Sequence, residues 1–279
     1  MHLKPAAVTS KLLSAVIFSC LIATSLFCAG CGQIKSSTDH IISGNEYFKK
    51  GDYPAAEHEY KEALKLDPSS ATAKNNLGVI LNEEKKYDEA IAILQDAIKV
   101  DPKNAIAHYV LASALTKVGK FDEALESGQR ATQLDPSEPE AYKAVGEAAM
   151  GKGDLPTAIT AFRYAIKLDS DNDGHHQRLA IALARTEDWD GAIVEERKAL
   201  ELNPDNSDAR IGLALALKNK GVPGDAIAEL KKVLQKEPPN TDAAHQAQQY
   251  LDAMQGGGSP PSGSYAQSGS LDRTQVGQK

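Results

Sequence analysis

Small and apolar residues recur every 34 residues through the middle of the chain, and this pattern predicts its secondary structure. One column, in the first half of each unit, holds Gly44, Gly78, Ala112, Gly146, Ala180 and Ala214. A second column holds Ala56, Ala90, Ala124, Ala158, Ala192 and Ala226, and a third, seven residues later, holds Ala63, Ala97, Ala131, Ala165, Ala199 and Val233. Because residues seven apart lie on one face of an α-helix, each unit is predicted to contain two amphipathic helices that approach closely at these small side chains.

Five of the six units close on a proline that follows an acidic or amide residue. These pairs are Asp67-Pro68, Asp101-Pro102, Asp135-Pro136, Asn203-Pro204 and Glu237-Pro238. The remaining place, Asp169-Ser170, keeps the acid and lacks the proline. Proline cannot continue a helix and disfavours helical backbone in the residue before it, so these pairs are predicted to end each second helix.

The arrangement resembles the tetratricopeptide repeat. The period, the small residue of the first helix, the alanines of the second helix and the closing proline match that repeat in six units over residues 37–240. The resemblance implies an all-α fold, a superhelix of about six helix-turn-helix repeats. It also implies that the first helices line a concave groove that binds a peptide or a helix of a protein partner.

One packing column of the second helix departs from the pattern in two units. The column reads Tyr60, Leu94, Gly128, Phe162, Glu196 and Leu230. Gly128 lacks a side chain, and we expect its neighbours to fill the space. Glu196 is expected to reach solvent, because a carboxylate is unfavourable in an apolar interior. The alternative interpretation is a soft joint near repeats three and five that lets the superhelix flex.

The segments that follow the repeats have different compositions. Residues 241–254 place Ala243, Ala247, Tyr250, Leu251 and Met254 on one helical stripe, which predicts a capping helix for the open end of the array. Residues 255–279 are rich in glycine, serine, proline and glutamine, so this tail is predicted to be disordered.

The first 30 residues have the pattern of an export signal of the lipoprotein type. Lys4 and Lys11 precede an uncharged stretch that runs to Gly30 and directly into Cys31. Ala29-Gly30-Cys31 resembles a bacterial lipoprotein cleavage box, although Cys28 stands where that family usually has leucine. The resemblance implies cleavage before Cys31 and lipid on its thiol, with residues 31–36 as a short linker. An uncleaved signal anchor and plain secretion remain the alternatives.

The cysteine count and the residue after the cleavage box extend this interpretation. The other cysteines, Cys20 and Cys28, lie in the segment that cleavage would remove, so the exported array would contain no disulfide. Gly32, rather than aspartate, follows the lipidation candidate. By the same resemblance this favours the outer membrane, with the protein facing the periplasm.

Charge and motif content argue against several classes of function. The chain has 31 lysines and arginines against 38 aspartates and glutamates, a formal charge of −7, which suits nucleic acid poorly. The sequence contains no phosphate-binding glycine loop before a helix, no plausible catalytic triad and no HExxH motif. No catalytic residue, no cofactor and no enzymatic activity are therefore predicted.

One acidic stretch could bind calcium. Asp169, Asp171 and Asp173 reproduce the opening of an EF-hand loop, but the twelfth place, which requires glutamate, is Ala180. The preferred interpretation is an acidic turn in which Asp171 or Asp173 caps the next helix. His175 and His176 are expected to be solvated at that helix start, so no metal site is predicted.

The candidate groove residues follow from spacings of four and three along each first helix. They are Ile41, Asn45 and Phe48; Asn75, Val79 and Asn82; Tyr109, Ser113 and Thr116; Lys143, Glu147 and Met150; Gln177, Ile181 and Ala184; and Ile211, Leu215 and Lys218. Their mixture of apolar, amide and aromatic groups suits an extended peptide or a helix. About half of the apolar members are expected to pack only on the adjacent repeat.

A subfamily of these arrays holds a partner's C-terminal carboxylate with lysines and asparagines on the same face. Asn45 and Asn76 match two of its sites, but Ile41, Ile106 and Val110 occupy its basic sites. That activity is therefore not carried over to this chain.

These observations lead to one functional hypothesis and two alternatives. The hypothesis is an exported, lipid-anchored adaptor, similar to pilotins of type IV pilus secretins and to lipoprotein adaptors of cell-wall hydrolases. The alternatives are a calcium-dependent envelope module and a non-catalytic subunit of an envelope enzyme complex.

Overall fold

The computed structural model describes residues 35–256, and it confirms the all-α prediction. Within that range the chain forms thirteen α-helices and no strand. In chain order they are α1 Ser37–Lys49, α2 Tyr53–Leu66, α3 Ala71–Glu83, α4 Tyr87–Val100, α5 Ala105–Lys117, α6 Phe121–Leu134, α7 Pro139–Lys152, α8 Leu155–Leu168, α9 Asp173–Arg185, α10 Trp189–Leu202, α11 Ser207–Asn219, α12 Pro223–Lys236 and α13 Asp242–Met254. The predicted signal segment, Cys31 and the tail from residue 257 onward lie outside the described residues.

The helix starts follow local capping chemistry. The first helices of repeats two and three begin after Ser70 and Asn104, whose side chains accept from backbone N–H groups in the first turn. Before α9 the capping residue is Asn172, whose Oδ1 accepts from the Gly174 N–H at 3.0 Å. The expectation that Asp171 or Asp173 caps this helix is therefore wrong by one residue.

Within a repeat, the two helices touch where a small residue of the first meets a large residue of the second. A Cβ atom added to Gly146 would lie 2.5 Å from Cε1 of Phe162, and one added to Gly78 would lie 2.5 Å from Leu94. Real Cβ atoms do not approach so closely, so these glycines permit the close contact of the two helices. The large partners Tyr60, Leu94, Phe162 and Leu230 are at most 2% exposed.

Repeat three solves the same packing problem differently. It has small residues on both helices, Ala112 and Gly128, and Val145 from the next repeat fills the space. A Cβ on Gly128 would lie 2.9 Å from Cγ2 of Val145. Val145 therefore occupies the place that a large side chain of the second helix occupies in the other repeats.

The expectation that Glu196 reaches solvent is wrong, because this side chain is fully buried. Its place in the repeat corresponds to those of Phe162 and Leu230, which are fully buried as well. Backbone position therefore decides that a side chain here enters the interior, whatever its polarity.

The core forms two clusters along the superhelix. One is built mainly from repeats one to three and the other from repeat four to α13, with Leu125 of α6 packed against both. Successive first helices α3, α5 and α7 contact one another and so form one continuous inner face. A soft joint near repeats three and five stays a prediction.

The last helix closes the array. Ala247, Tyr250 and Leu251 of α13 pack into the second cluster, whereas Gln248 and Gln249 are exposed. Over residues 35–256, no helix has both the length and the apolar character that crossing a bilayer requires.

Candidate binding groove

A pocket of about 210 Å³ opens on the inner face, where α3, α5 and α7 lie side by side. We call it the groove pocket. Its lining residues are Val79, Asn82, Glu83, Tyr109, Val110, Ser113, Glu140, Lys143, Ala144 and Glu147. The first helices of repeats two, three and four thus contribute to a single cavity.

Six residues that the spacing rule selected lie together in this pocket. They are Val79, Asn82, Tyr109, Ser113, Lys143 and Glu147. The spacing of four and three works here because it follows one face of each first helix, and the three helices present that face to the same cavity.

The other selected residues lie elsewhere. Asn75, Thr116, Met150, Ile181, Ala184, Ile211 and Leu215 are buried, each at most 6% exposed. At the first end of the array Ile41 and Asn45 are half-buried and Phe48 is exposed; near the other end Gln177 is half-buried and Lys218 exposed. The first helices of repeats five and six therefore use much of the predicted stripe for the core.

The spacing rule missed four lining residues: Glu83, Val110, Glu140 and Ala144. Each stands one residue after, or three residues before, a selected position. Because an α-helix has 3.6 residues per turn, the residues that face a concave surface form a stripe wider than one series at spacings of four and three. A wider stripe in the sequence pattern would have included them.

Ion pairs organise the charged edge of the groove pocket. Lys143 pairs with Glu140 one turn earlier on α7, and Nε of Arg178 lies 3.1 Å from Oε1 of Glu147. The second pair joins repeats four and five across the inner face. Three carboxylates and one ammonium group line the pocket, so its formal charge is negative.

Two polar side chains in the pocket have unused hydrogen-bonding capacity. Burial, and then Glu138 and Glu140, raise the pKa of Tyr109 to about 12, so its phenol keeps its proton. The hydroxyl has no hydrogen-bond partner among the described residues. The Oδ1 atom of Asn82 is buried and also has none there. A bound backbone amide could donate to that oxygen.

An amide network fixes the asparagines at the first end of the inner face. Oδ1 of Asn45 accepts from the Tyr60 hydroxyl at 2.7 Å and from Nδ2 of Asn76 at 2.9 Å. Nδ2 of Asn75 donates in turn to Asn76. Asn45 and Asn76 are thus held to each other and link repeats one and two.

The expectation that His175 and His176 are solvated is wrong, since they are only 1% and 6% exposed. The place of His175 in the repeat is held by buried alanines in four other units: Ala73, Ala107, Ala141 and Ala209. Neither ring nitrogen of His175 has a hydrogen-bond partner. Burial lowers the pKa of His175, although Glu140, with Oε1 at 3.9 Å from Nε2, acts in the opposite direction.

This histidine predicts a pH dependence of stability. Its pKa is lower in the folded chain than the value of about 6.5 of an unfolded chain, so below that pH the unfolded state binds more protons. We expect the melting temperature to fall between pH 7.5 and 5, and to fall less in a His175→Ala variant. Carboxylates with lowered pKa act below this window. Equal slopes for the two proteins would contradict the assignment.

The acidic turn before α9 is engaged in contacts between repeats. Oδ2 of Asp173 accepts from Nδ2 of Asn203 at 3.1 Å and from Nδ2 of Asn206 at 2.8 Å. Within residues 35–256, no group of three or more His, Cys, Asp or Glu side chains is arranged to hold a metal ion. Asp169 and Asp171 therefore do not join Asp173 in such a group.

Comparison with protein families identifies the repeat. The tetratricopeptide repeat matches residues 43–99, 144–197 and 178–241, and a second description of the same repeat matches residues 81–148. Together these matches run through all six predicted units.

A curated relative, stress-induced-phosphoprotein 1 of Caenorhabditis elegans, is 46% identical over 48 residues. That match covers 17% of this chain and 15% of the relative. The chain thus spans only a small part of this relative's length.

Solved structures share the fold. The Cut9-Hcn1 hetero-tetramer of the APC/C matches with a TM-score of 0.70 at 21% identity, over 80% of this chain and 44% of that one. The pilF protein of Pseudomonas aeruginosa matches with 0.63 at 19% identity, over 76% and 96%. YrrB, described as a repeat protein with an unusual peptide-binding site, matches with 0.50 at 25% identity, over 67% and 92%.

Proposed function

The chain belongs to the tetratricopeptide repeat family, and from this premise we propose that it is a membrane-anchored adaptor that holds a partner protein of the cell envelope. Proteins built from this repeat act as scaffolds for protein–protein interaction, and they are typically non-catalytic. The proposal adds the site, the kind of partner and the compartment.

The groove pocket is the observation that carries the proposal. Three successive first helices supply one cavity, and that cavity contains an aromatic ring, an amide with an unsatisfied oxygen and an aliphatic wall from Val79. These groups suit a segment that inserts one side chain and donates a backbone N–H. The peptide-binding site named for YrrB supports the same use of the fold.

The charge of the groove pocket indicates which residues the bound segment contains. Glu83, Glu140 and Glu147 line the pocket against the single ammonium group of Lys143, and the chain as a whole is acidic at −7. Because potentials across an interface are usually complementary, we propose that the bound segment carries a lysine or arginine.

The sequence supports the anchor. Cleavage before Cys31 and lipid on its thiol would leave six residues between the membrane and α1, which begins at Ser37. At roughly 3.3 Å per residue such a linker reaches about 20 Å at most. The proposed location is the bacterial outer membrane, facing the periplasm, with the groove close to the bilayer.

Site-directed crosslinking tests the proposed groove. A photoreactive phenylalanine analogue in place of Tyr109 is expected to crosslink one envelope protein in living cells, because that ring lines the groove pocket. The same analogue in place of Tyr164, which is 49% exposed on α8 and outside that pocket, serves as the matched control. Crosslinks of equal yield and identity from the two positions would reject a groove-specific partner.

A further inference from the structure

The same pairing of a basic side chain with a carboxylate recurs inside the repeats. The fourth residue of the first helix pairs with a carboxylate 19 residues later, on the second helix. Nδ1 of His40 lies 2.8 Å from Oε2 of Glu59, and Nδ1 of His176 lies 2.7 Å from Oε2 of Glu195. In repeat six, Nη1 of Arg210 donates to Oε2 of Glu229 at 3.1 Å. Repeats one, five and six thus share one arrangement.

The same first-helix residue also contacts the loop that precedes it. His176 approaches the Ser170 carbonyl through Nε2 at 3.2 Å, and Arg210 donates to the Pro204 carbonyl at 2.8 Å. In repeat three, Nε2 of His108 lies 3.2 Å from the Pro102 carbonyl. A carbonyl oxygen only accepts, so Nε2 of His108 carries the hydrogen and Nδ1 of the neutral ring does not.

Repeat three keeps the histidine and lacks the carboxylate. Ser127 stands where Glu59, Glu195 and Glu229 stand, and its hydroxyl donates to the backbone carbonyl of His108 at 3.0 Å. A cavity of about 710 Å³, which we call the repeat-three pocket, lies at this place. Its lining residues are Gln95, Ile98, Lys99, His108, Leu111, Leu115, Glu123, Glu126, Ser127, Gln129, Arg130 and Gln133.

The repeat-three pocket contains both basic and acidic side chains. Arg130 donates to Gln133 at 3.2 Å and forms no ion pair with any described residue. Lys99 is exposed and pairs with Asp96 on its own helix. Glu123 lies seven residues before Arg130, about 10 Å along the helix axis, and Glu126 lies one turn before it. His108 and Arg130 are thus two basic groups of this pocket that have no carboxylate partner among the described residues.

We propose that the repeat-three pocket binds a glutamate or aspartate side chain of a partner protein, which takes the place that Glu59, Glu195 and Glu229 occupy in the other repeats. The incoming carboxylate accepts from Arg130 and from Nδ1 of a protonated His108. The pocket lies on α4, α5 and α6 and shares no lining residue with the groove pocket. It is thus a second docking place, independent of the groove.

The decisive variant supplies the missing carboxylate from the chain itself. Ser127→Glu is expected to raise the melting temperature, because the new side chain can pair with His108 as Glu195 pairs with His176. The Ser127→Gln variant has nearly the same shape without the charge and is the matched control. A melting temperature of Ser127→Glu equal to or below that of Ser127→Gln would show that repeat three is not equivalent to repeats one, five and six at this place.

Binding is measured with a short peptide that carries two glutamates and is blocked at both ends, followed by the His108 ring resonances in NMR. The wild-type chain is expected to show saturable shifts, and Ser127→Glu and Arg130→Gln are expected to weaken binding at least tenfold. Far-UV circular dichroism shows whether each variant is folded. No shift of His108 at millimolar peptide would overturn the proposal.

Two further peptides identify the source of the carboxylate. A glutamine version blocked at both ends is expected not to bind, and the glutamine version with a free C-terminus is expected to bind no better. Equal binding of the free C-terminus would overturn the assignment to a side chain.

The pH dependence of binding is a further test. Binding should be tighter at pH 6.0 than at pH 7.5, since His108 must be protonated to donate from Nδ1. The charged groups that line the pocket with His108 are Lys99, Arg130, Glu123 and Glu126. Burial lowers the pKa of His108 in the free chain, in accord with this direction.

Discussion

Replacing Phe162 by alanine is expected to lower the free energy of unfolding by about 3–5 kcal/mol. The ring is fully buried between α7 and α8. It lies so close to Gly146 that a Cβ atom added there would be 2.5 Å from Cε1 of the ring. Since each repeat contacts only its neighbours along the chain, a cavity here also weakens the contacts of repeat four with repeats three and five. Thermal and urea denaturation, followed by circular dichroism, would measure the loss.

The matched control for this change lies two residues away on the same helix. Tyr164 is 49% exposed and stacks on Tyr142 with ring centroids 5.4 Å apart. Tyr164→Ala removes an aromatic ring of similar size and is expected to destabilise by about 1 kcal/mol or less. Similar losses for both variants would show that the contact between Phe162 and Gly146 does not dominate the packing of repeat four.

Much of the fold follows from the sequence because it depends on columns of size and polarity. The alanine columns reflect the contact between the two helices of each repeat, and the closing prolines mark the end of the second helix in five units, so the period predicts the helix pairs and their order. Glu196 and His175 show the limit of this approach. Their polarity suggested solvent, but their places in the repeat are buried, as the alanines and Phe162 in the same columns are. Column position was the stronger signal.

The candidate site was predicted less completely, for two physical reasons. The spacing rule found one side of each first helix and so missed Glu83 and Glu140, which stand at the margins of that stripe. It allowed for about half of the apolar members to pack on the adjacent repeat, but it could not say that Ile181 and Ile211 would be among them, because exposure depends on how neighbouring repeats approach.

The pairs of repeats one, five and six, from which the repeat-three proposal is argued, could have been recognised in the sequence. A histidine or arginine followed 19 residues later by a glutamate recurs in three units, and the absence of the glutamate from repeat three is visible as the serine at position 127. A comparison restricted to apolar columns overlooks such pairs.

From the proposed anchor we expect that replacing Cys31 by alanine moves most of the protein out of the membrane fraction. A single acyl chain holds a protein only marginally at a bilayer, whereas two chains, at about 0.8 kcal/mol for each buried methylene, give stable attachment. A diacylglyceryl group on Cys31 would therefore hold nearly all of the protein in the membrane fraction. We expect Cys31→Ala to abolish the lipid mass on the mature N-terminus and to prevent processing at that site. Fractionation of native cells with intact-mass measurement would show both.

Cys28→Ala is the matched control, because it changes the same residue type three places earlier, in the segment that the proposed cleavage would remove. It is expected to leave both the mature mass and the membrane fraction unchanged. A wild-type protein that begins at residue 1 and stays membrane-bound would instead support an uncleaved anchor. A soluble wild-type product without lipid would remove the anchor from the proposal. Neither result would bear on the groove pocket, since its helices begin 40 residues beyond Cys31. The adaptor function and its location can therefore be tested separately.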